Sequence, residues 1–387
     1  MNRRDFLRLV AAAPVWSVLP VWSRQEKPAF GRTLLLLELN GGNDGINTLI
    51  PYRESTYYRQ RPKLALPVDQ VLQLNEQTGM HPALESLMPL WDAGEMAWIQ
   101  GLGYPQPNRS HFRSIAIWDS ASASDEVRSE GWLSPVVKAS PLRDERLLDG
   151  IVIGRNSGPL AGEGMRVISL SDSETFLRRA ASVKPIYKKS GNPALQHILQ
   201  VQREIGHAAA ALRERLTAQT HSIVDRFPSS RFGRELALAA RLIISGVDVP
   251  VIKVSQIGYD THSHQSAKHR RLLTELAQGL AAFRSVLSDS GDWNRTLVMS
   301  YGEFGRRVAE NASAGTDHGT AAPYFVLGGV VKPGLFGEAP SLTSLDGGDL
   351  RFTVDFRRYY GTVISKWFDV SGTDIAGESH DSLNFLL

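Results

Sequence analysis

Residues 33–40 read TLLLLELN, an apolar run closed by Gly41-Gly42-Asn43-Asp44-Gly45. Such a run predicts a strand buried on both faces, as in a parallel sheet, followed by a tight turn. Residues 96–101 predict a second strand of this kind. Residues 147–153 and 165–170 predict further strands, 249–256 and 296–300 central ones, and 324–331 a late strand or strand pair. Between the two central strands, Leu272, Leu273, Leu276, Leu280 and Phe283 recur at helical spacing and predict an amphipathic helix over 264–288. Strand, helix, strand is the unit of a parallel sheet with right-handed crossovers, so the fold class expected is α/β with a mostly parallel central sheet flanked by helices.

Two stretches depart from that alternation. Residues 190–245 are helical in pattern with no strand between, which predicts a helical insertion packed over one side of the sheet. At the start of the chain, Arg3-Arg4-Asp5-Phe6-Leu7-Arg8 precedes a mostly apolar stretch and a polar restart at Arg24-Gln25-Glu26-Lys27. This predicts a twin-arginine signal over 1–23, with the twin-arginine translocase as a partner and a periplasmic or exported destination. Its roughly 14 apolar residues, interrupted by Pro14 and Pro20, fall short of the ~20 a bilayer needs, so no stable membrane span is expected. The remainder is expected to form one α/β domain over 30–387 that includes the insertion.

Composition removes several chemistries. None of the 387 residues is cysteine, which excludes disulfides, thiolate metal sites and cysteine nucleophiles and leaves any metal to histidine and carboxylate. The net charge is only +3, and no basic block outside the signal is interleaved with aromatics, so nucleic acid is not an expected partner.

The polar residues that remain follow the C-terminal ends of predicted strands, where open α/β sheets bind ligands. Asp44 follows the first strand. Arg109, Ser110 and His111 follow the second, with Ser110 at the head of a predicted helix. Asp260, His262 and His264 follow the strand ending at Gln256, Glu303 follows 296–300, and Asp317-His318 precedes the strand near Tyr324. Singly, each has a plainer reading as a turn former, a helix N-cap or a surface pair. Their recurrence, with four of the ten histidines among them, points to a metal site.

Carboxylates and imidazoles suit one or two divalent ions of Zn, Mn, Mg or Ca. A serine at a helix N-terminus beside a metal suits a nucleophile. Arg109 and Arg113 suit a clamp on the oxygens of a phosphoryl or sulfuryl group. His111 joins Ser110 and Arg109 in the expected catalytic group, and Asn43 joins Arg113 as an expected substrate contact.

The segments GGNDG at 41–45, YPQPNRSHFRS at 104–114, DTH at 260–262, GEFGRR at 302–307 and TDHGTAAP at 316–323 closely resemble the twin-arginine-exported family known as domain of unknown function 1501. The resemblance covers nearly the whole chain after the signal. It implies an alkaline phosphatase-like fold, a mostly parallel sheet between helices with metals at the strand ends. On that pattern Asp44 resembles the first Asp ligand and Ser110 the nucleophile. Asp260 with His264 resembles the Asp-x-x-x-His metal pair, whereas His262 is the histidine of the family's own Asp-Thr-His motif, and the choice between them stays open. Glu303 falls where those enzymes place an Asp-His pair, and His318 resembles their final histidine. The sulfatase signature, Cys or Ser followed by x-Pro-x-Arg, is absent around Ser110.

The function expected is therefore an exported metal-dependent hydrolase acting on a small-molecule or polymer ester of phosphate or sulfate. The alternative is a catalytically decayed metal- or carbohydrate-binding or structural protein on the same fold.

Overall fold

The computed structural model describes residues 31–154, 156–170, 221–370 and 382–387. The strands of its main sheet are, in chain order, β1 (Thr33–Asn40), β2 (Met96–Gly103), β3 (Gly150–Ile153), β4 (Val167–Leu170), β5 (Val251–Ile257), β6 (Thr296–Tyr301), β7 (Ala322–Leu327), β8 (Gly334–Phe336) and β9 (Val354–Asp355). They form one sheet in the order β8-β2-β7-β6-β1-β5-β3-β4, with β9 paired to the end of β2. The flanking helices are α1 (His111–Ser120), α2 (Leu133–Lys138), α3 (Arg231–Ile244), α4 (Gln265–Ser290) and α5 (Phe356–Trp367).

The uninterrupted apolar run of β1 is explained by its place between β5 and β6, parallel to both and covered on both faces. Leu35, Leu37 and Leu39 pack in one core with α3 and α4; Leu34 and Leu36 pack in a second core with α1, α2 and α5. Each fully buried leucine contributes about 1.5–3 kcal/mol relative to exposure. The charge inside this run is neutralised locally: the buried Glu38 carboxylate lies 2.5 Å from the buried Lys253 ammonium.

Differences from the expected elements are informative. The late strand starts at Ala322, ends at Leu327 and runs antiparallel to both its neighbours, so the sheet is mixed, although its other pairings are parallel. No strand follows over 328–331, where Gly328 turns the chain with φ +159° and Val331 makes an isolated bridge to Leu386. Of the helical insertion, the described part is a 3-10 turn (His221–Arg226) and α3, which packs on α4. The rest of the insertion and the signal lie outside the described residues. Among the described residues, no helix is long and apolar enough to cross a membrane.

Candidate metal centre

Because β1, β2, β5 and β6 are mutually parallel, the loops that leave them open on one edge of the sheet. β7 runs the other way, so the segment that enters it, containing His318, arrives at the same edge. The loops stack closely there. A Cβ at Gly41 (φ +114°) would lie 2.4 Å from the Asp260 amide nitrogen, and one at Gly42 (φ +71°) 2.4 Å from the Phe304 ring, so only glycine fits either place.

Arg306 ties the loops together, a role the sequence reading missed. Its guanidinium is fully buried and donates to the backbone oxygens of Gly41, Gly42, Tyr259 and Thr316 and, at 2.8 Å, to Asp260 Oδ1. A buried guanidinium needs this many acceptors. The only local signal is the Gly-Glu-Phe-Gly-Arg-Arg string after β6, in which Arg306 and Arg307 read equally well as a solvated face.

Three histidines surround Asp260. His262 Nε2 lies 3.0 Å and His318 Nε2 3.3 Å from Asp260 Oδ1, and the two Nε2 atoms are 3.0 Å apart. His111 Nε2 lies 3.6 Å from Asp260 Oδ2. One ligand atom from each of His111, Asp260 and His318 fits within 4.8 Å of the others. The opposite ring nitrogens all face oxygen: His262 Nδ1 is 3.3 Å from Asp317 Oδ1, His318 Nδ1 is 2.9 Å from the Arg109 carbonyl, and His111 Nδ1 is 2.9 Å from Glu303 Oε1. In the tautomer with the proton on Nδ1, each imidazole donates to the oxygen behind it and presents its Nε2 lone pair toward Asp260.

This arrangement fits a cation. The lone pairs of His262 and His318 face each other at hydrogen-bond distance with a carboxylate oxygen beside them, and a positive charge among them turns repulsion into attraction. Oxygen acceptors behind each imidazole are the supports that fix the tautomer of metal-binding histidines. The protonation of Asp260 and His318 agrees with this, whereas His111 is pushed toward its charged form, whose added proton a bound cation would have to displace. Burial raises the Asp260 carboxyl, but the Arg306 hydrogen bond and charge outweigh it and hold the group at about 2. Burial lowers His318, keeping it neutral, while the Glu303 hydrogen bond raises His111.

The expected site residues therefore separate. Asp260, His262, His318 and His111 form the group, His111 with its Nε2 directed toward Asp260. Asp317 and Glu303 stand behind it. Glu303 Oε1 also accepts from the Gly41 amide at 2.8 Å, and its buried Oε2 makes no hydrogen bond. Ser110 is the exposed N-cap residue just before α1, and its hydroxyl makes no capping hydrogen bond to the helix. Arg109 binds Asp349 through Nη1 at 3.0 Å and is otherwise about half exposed.

Four expected residues are not brought into this group. Both oxygens of Asp44 are already engaged, by Arg61 at 2.6 Å, by Gln265 and by the Asn47 amide, with Asp44 and Arg61 wholly buried. Asn43 is spent on Thr48 and His269 inside the same buried network. Arg113 turns away and donates to the carbonyls of Ala123, Ser124 and Glu126. His264 is the exposed residue before α4, in left-handed conformation with φ +46° and its amide bonded to Ser313 O, with no ring contact to the group among the described residues.

The buried network makes its own prediction. Burial holds His81 at about 3 and His269 at about 4, against an ordinary 6.5. Both bind fewer protons folded than unfolded. Their contribution is full above about pH 6.5 and is lost as the pH falls towards 4, by up to about 1.4 kcal/mol per pH unit for each. Asp119, which burial raises to about 7, opposes one of them over the same window. Urea unfolding between pH 6.5 and 4.5 is expected to show a shallower pH slope for His269→Gln than for the parent; identical slopes contradict the assignment.

Comparison with known proteins adds a family. The family profile described as "Protein of unknown function (DUF1501)" matches residues 97–346. No curated protein sequence matches the chain. Among solved structures, the chain is similar to Ps i-CgsB in complex with k-i-k-neocarrahexaose, with 9% identity over 91% of this chain and 75% of that one, at a TM-score of 0.45. It is similar to the PsFucS1 sulfatase from Pseudoalteromonas sp. at 11% identity over 92% and 71%, TM-score 0.42. It is also similar to the phosphonate monoester hydrolase SpPMH from Silicibacter pomeroyi at 10% identity over 91% and 75%, TM-score 0.42.

Proposed function

The chain belongs to the DUF1501 family of proteins of unknown function, and from that premise and the site geometry we propose a metal-dependent hydrolase of phosphate or sulfate esters, exported to the periplasm by the twin-arginine route. The observation that carries the proposal is the set of three imidazoles, each with Nδ1 tied to an oxygen and Nε2 turned toward Asp260. His111, His262, His318 and Asp260 would hold one divalent ion, and a nitrogen-rich set with one carboxylate favours Zn over Mn, Mg or Ca. When bound, the ion supplies Lewis acidity toward the ester oxygens and lowers the pKa of a nearby hydroxyl.

The chain's own residues do the rest. The uncapped first turn of α1 offers backbone N–H groups and the positive end of the helix dipole to an anionic ester. The guanidinium hydrogens of Arg109 not bound to Asp349 add charge-assisted hydrogen bonds to its oxygens. Ser110 Oγ attacks phosphorus or sulfur; its new bond forms as the ester bond breaks and the alcohol leaves with a proton. Water then cleaves the serine ester and releases phosphate or sulfate. Export of a folded chain allows metal loading before the periplasm, where affinity order would otherwise decide which ion enters.

The test is hydrolysis of p-nitrophenyl phosphate and p-nitrophenyl sulfate by the chain reconstituted with Zn or Mn, with loss on chelation and recovery on adding metal back. Absence of turnover with either ion and either ester contradicts the proposal. Glu303→Gln removes the carboxylate behind His111 and is expected to weaken metal binding roughly 10–100-fold. Competition against a chromophoric chelator measures this, and unchanged affinity would show that Glu303 does not brace a ligand.

A further inference from the structure

A cavity of about 510 Å³ adjoins the candidate metal centre and shares Arg109 and Phe304 with it. Phe304 forms the common wall, its ring 5.0 Å from that of His111 and 4.6 Å from that of His318. The space far exceeds what a bare oxyanion needs and is of the size that takes a drug-sized organic group. Its lining carries both charges, Arg109 and Arg351 with Asp346 and Asp349; Asp349 is paired by Arg109 Nη1 at 3.0 Å and, from behind the wall, by Arg307 Nε at 3.3 Å. Such a wall mixes cations with carboxylates, which repel a polyanion, and holds too many ions to welcome an acyl chain. Guanidiniums only donate and carboxylates only accept, so side by side they match a group that does both at neighbouring atoms, as vicinal hydroxyls do. Phe352, 37% exposed, adds an aromatic face for apolar C–H surfaces, while Phe304, buried against the two histidines, only closes the wall.

We propose that this cavity binds a neutral carbohydrate, so that the substrate is a phosphate or sulfate ester of a sugar whose ring or chain occupies the cavity while the ester group reaches Ser110. The substrate class rests on the hydrolase reading; the binding of sugar by the cavity does not. Saturation-transfer NMR on the full chain tests the binding with lactose, cellobiose, maltose, chitobiose and xylobiose, alongside adenosine monophosphate and dihexanoyl phosphatidic acid. At least one disaccharide is expected to receive transfer to its ring protons, and both Phe352→Ala and Asp346→Asn, at exposed positions, should weaken its binding at least tenfold while the melting temperature is unchanged. Transfer to none of the disaccharides, binding of the nucleotide or the lipid in their place, or sugar affinity that survives both substitutions overturns the proposal. Aryl ester turnover on the same preparations reads the metal centre separately: sugar binding without turnover removes the hydrolase reading alone, and turnover without sugar binding removes the carbohydrate site alone.

Discussion

His262→Ala is expected to lower metal affinity by more than the roughly 10–100-fold that an outer-sphere partner is worth, because it removes a donor atom rather than the support of one. His262 is the hinge of the group, with Nε2 3.0 Å from both Asp260 Oδ1 and His318 Nε2. Its side chain is 46% exposed, so its removal leaves no buried cavity and the fold should survive. The matched control is His264→Asn. Residue 264 sits only two positions on, exposed and at φ +46°, a conformation asparagine tolerates, and its replacement should leave affinity unchanged. Competitive chelator titration reads both variants, and the metal-induced rise in melting temperature gives a second readout, since a ligand that binds only the native state must stabilise it. Wild-type affinity in His262→Ala, or loss of affinity in His264→Asn, would reverse the choice between the two histidines.

Ser110→Ala should lower the rate of ester hydrolysis by about 10³-fold or more, the scale on which nucleophile removal acts in enzymes that form covalent intermediates. Stability should not change. A hydroxyl that caps a helix contributes about 1 kcal/mol, but Ser110 makes no capping bond, so there is no such bond to lose. Metal affinity should also be unchanged. The combination of lost turnover, kept metal and kept melting temperature identifies a nucleophile. Retained turnover would remove Ser110 from the chemistry, and a lowered melting temperature would return it to the role of a cap.

The strands were legible because burial on both faces leaves an unmistakable apolar run. β1 matches its expected range, and α4 differs from its expected range by one residue at its start and two at its end. What the pattern could not carry was the direction of β7. A six-residue buried strand looks the same either way round, and its antiparallel course is settled by the long excursion from Gly302 to Ala321, which returns the chain to the edge it left.

The site was legible as a set of places more than as a set of roles. An aspartate in a Gly-rich turn after a strand can face the open edge or the interior, and Asp44 faces inward because Arg61, on a distant stretch of chain, supplies a fully buried partner. Likewise Glu303 stands behind His111 instead of beside Asp260, since its carboxylate is claimed by the Gly41 amide and the His111 ring together. His111 reads from sequence as an appendage of Ser110, and only the folded loops show its Nε2 turned to Asp260. The oxygen atoms that orient the three imidazoles, on Glu303, Asp317 and the Arg109 backbone, come from loops whose meeting depends on sheet order, so no local spacing encodes it.

The central claim is that a single metal ion is held by three imidazoles and Asp260, with Glu303, Asp317 and the Arg109 carbonyl behind them. Anomalous diffraction at the zinc edge from crystals of the zinc-loaded protein tests it most directly. The predicted result is one peak bonded to Nε2 of His111, His262 and His318 and to the Asp260 carboxylate, with Glu303 and Asp44 outside the coordination sphere. A peak at Asp44 or His264, or zinc-loaded crystals with no peak between His262 and His318, would contradict it.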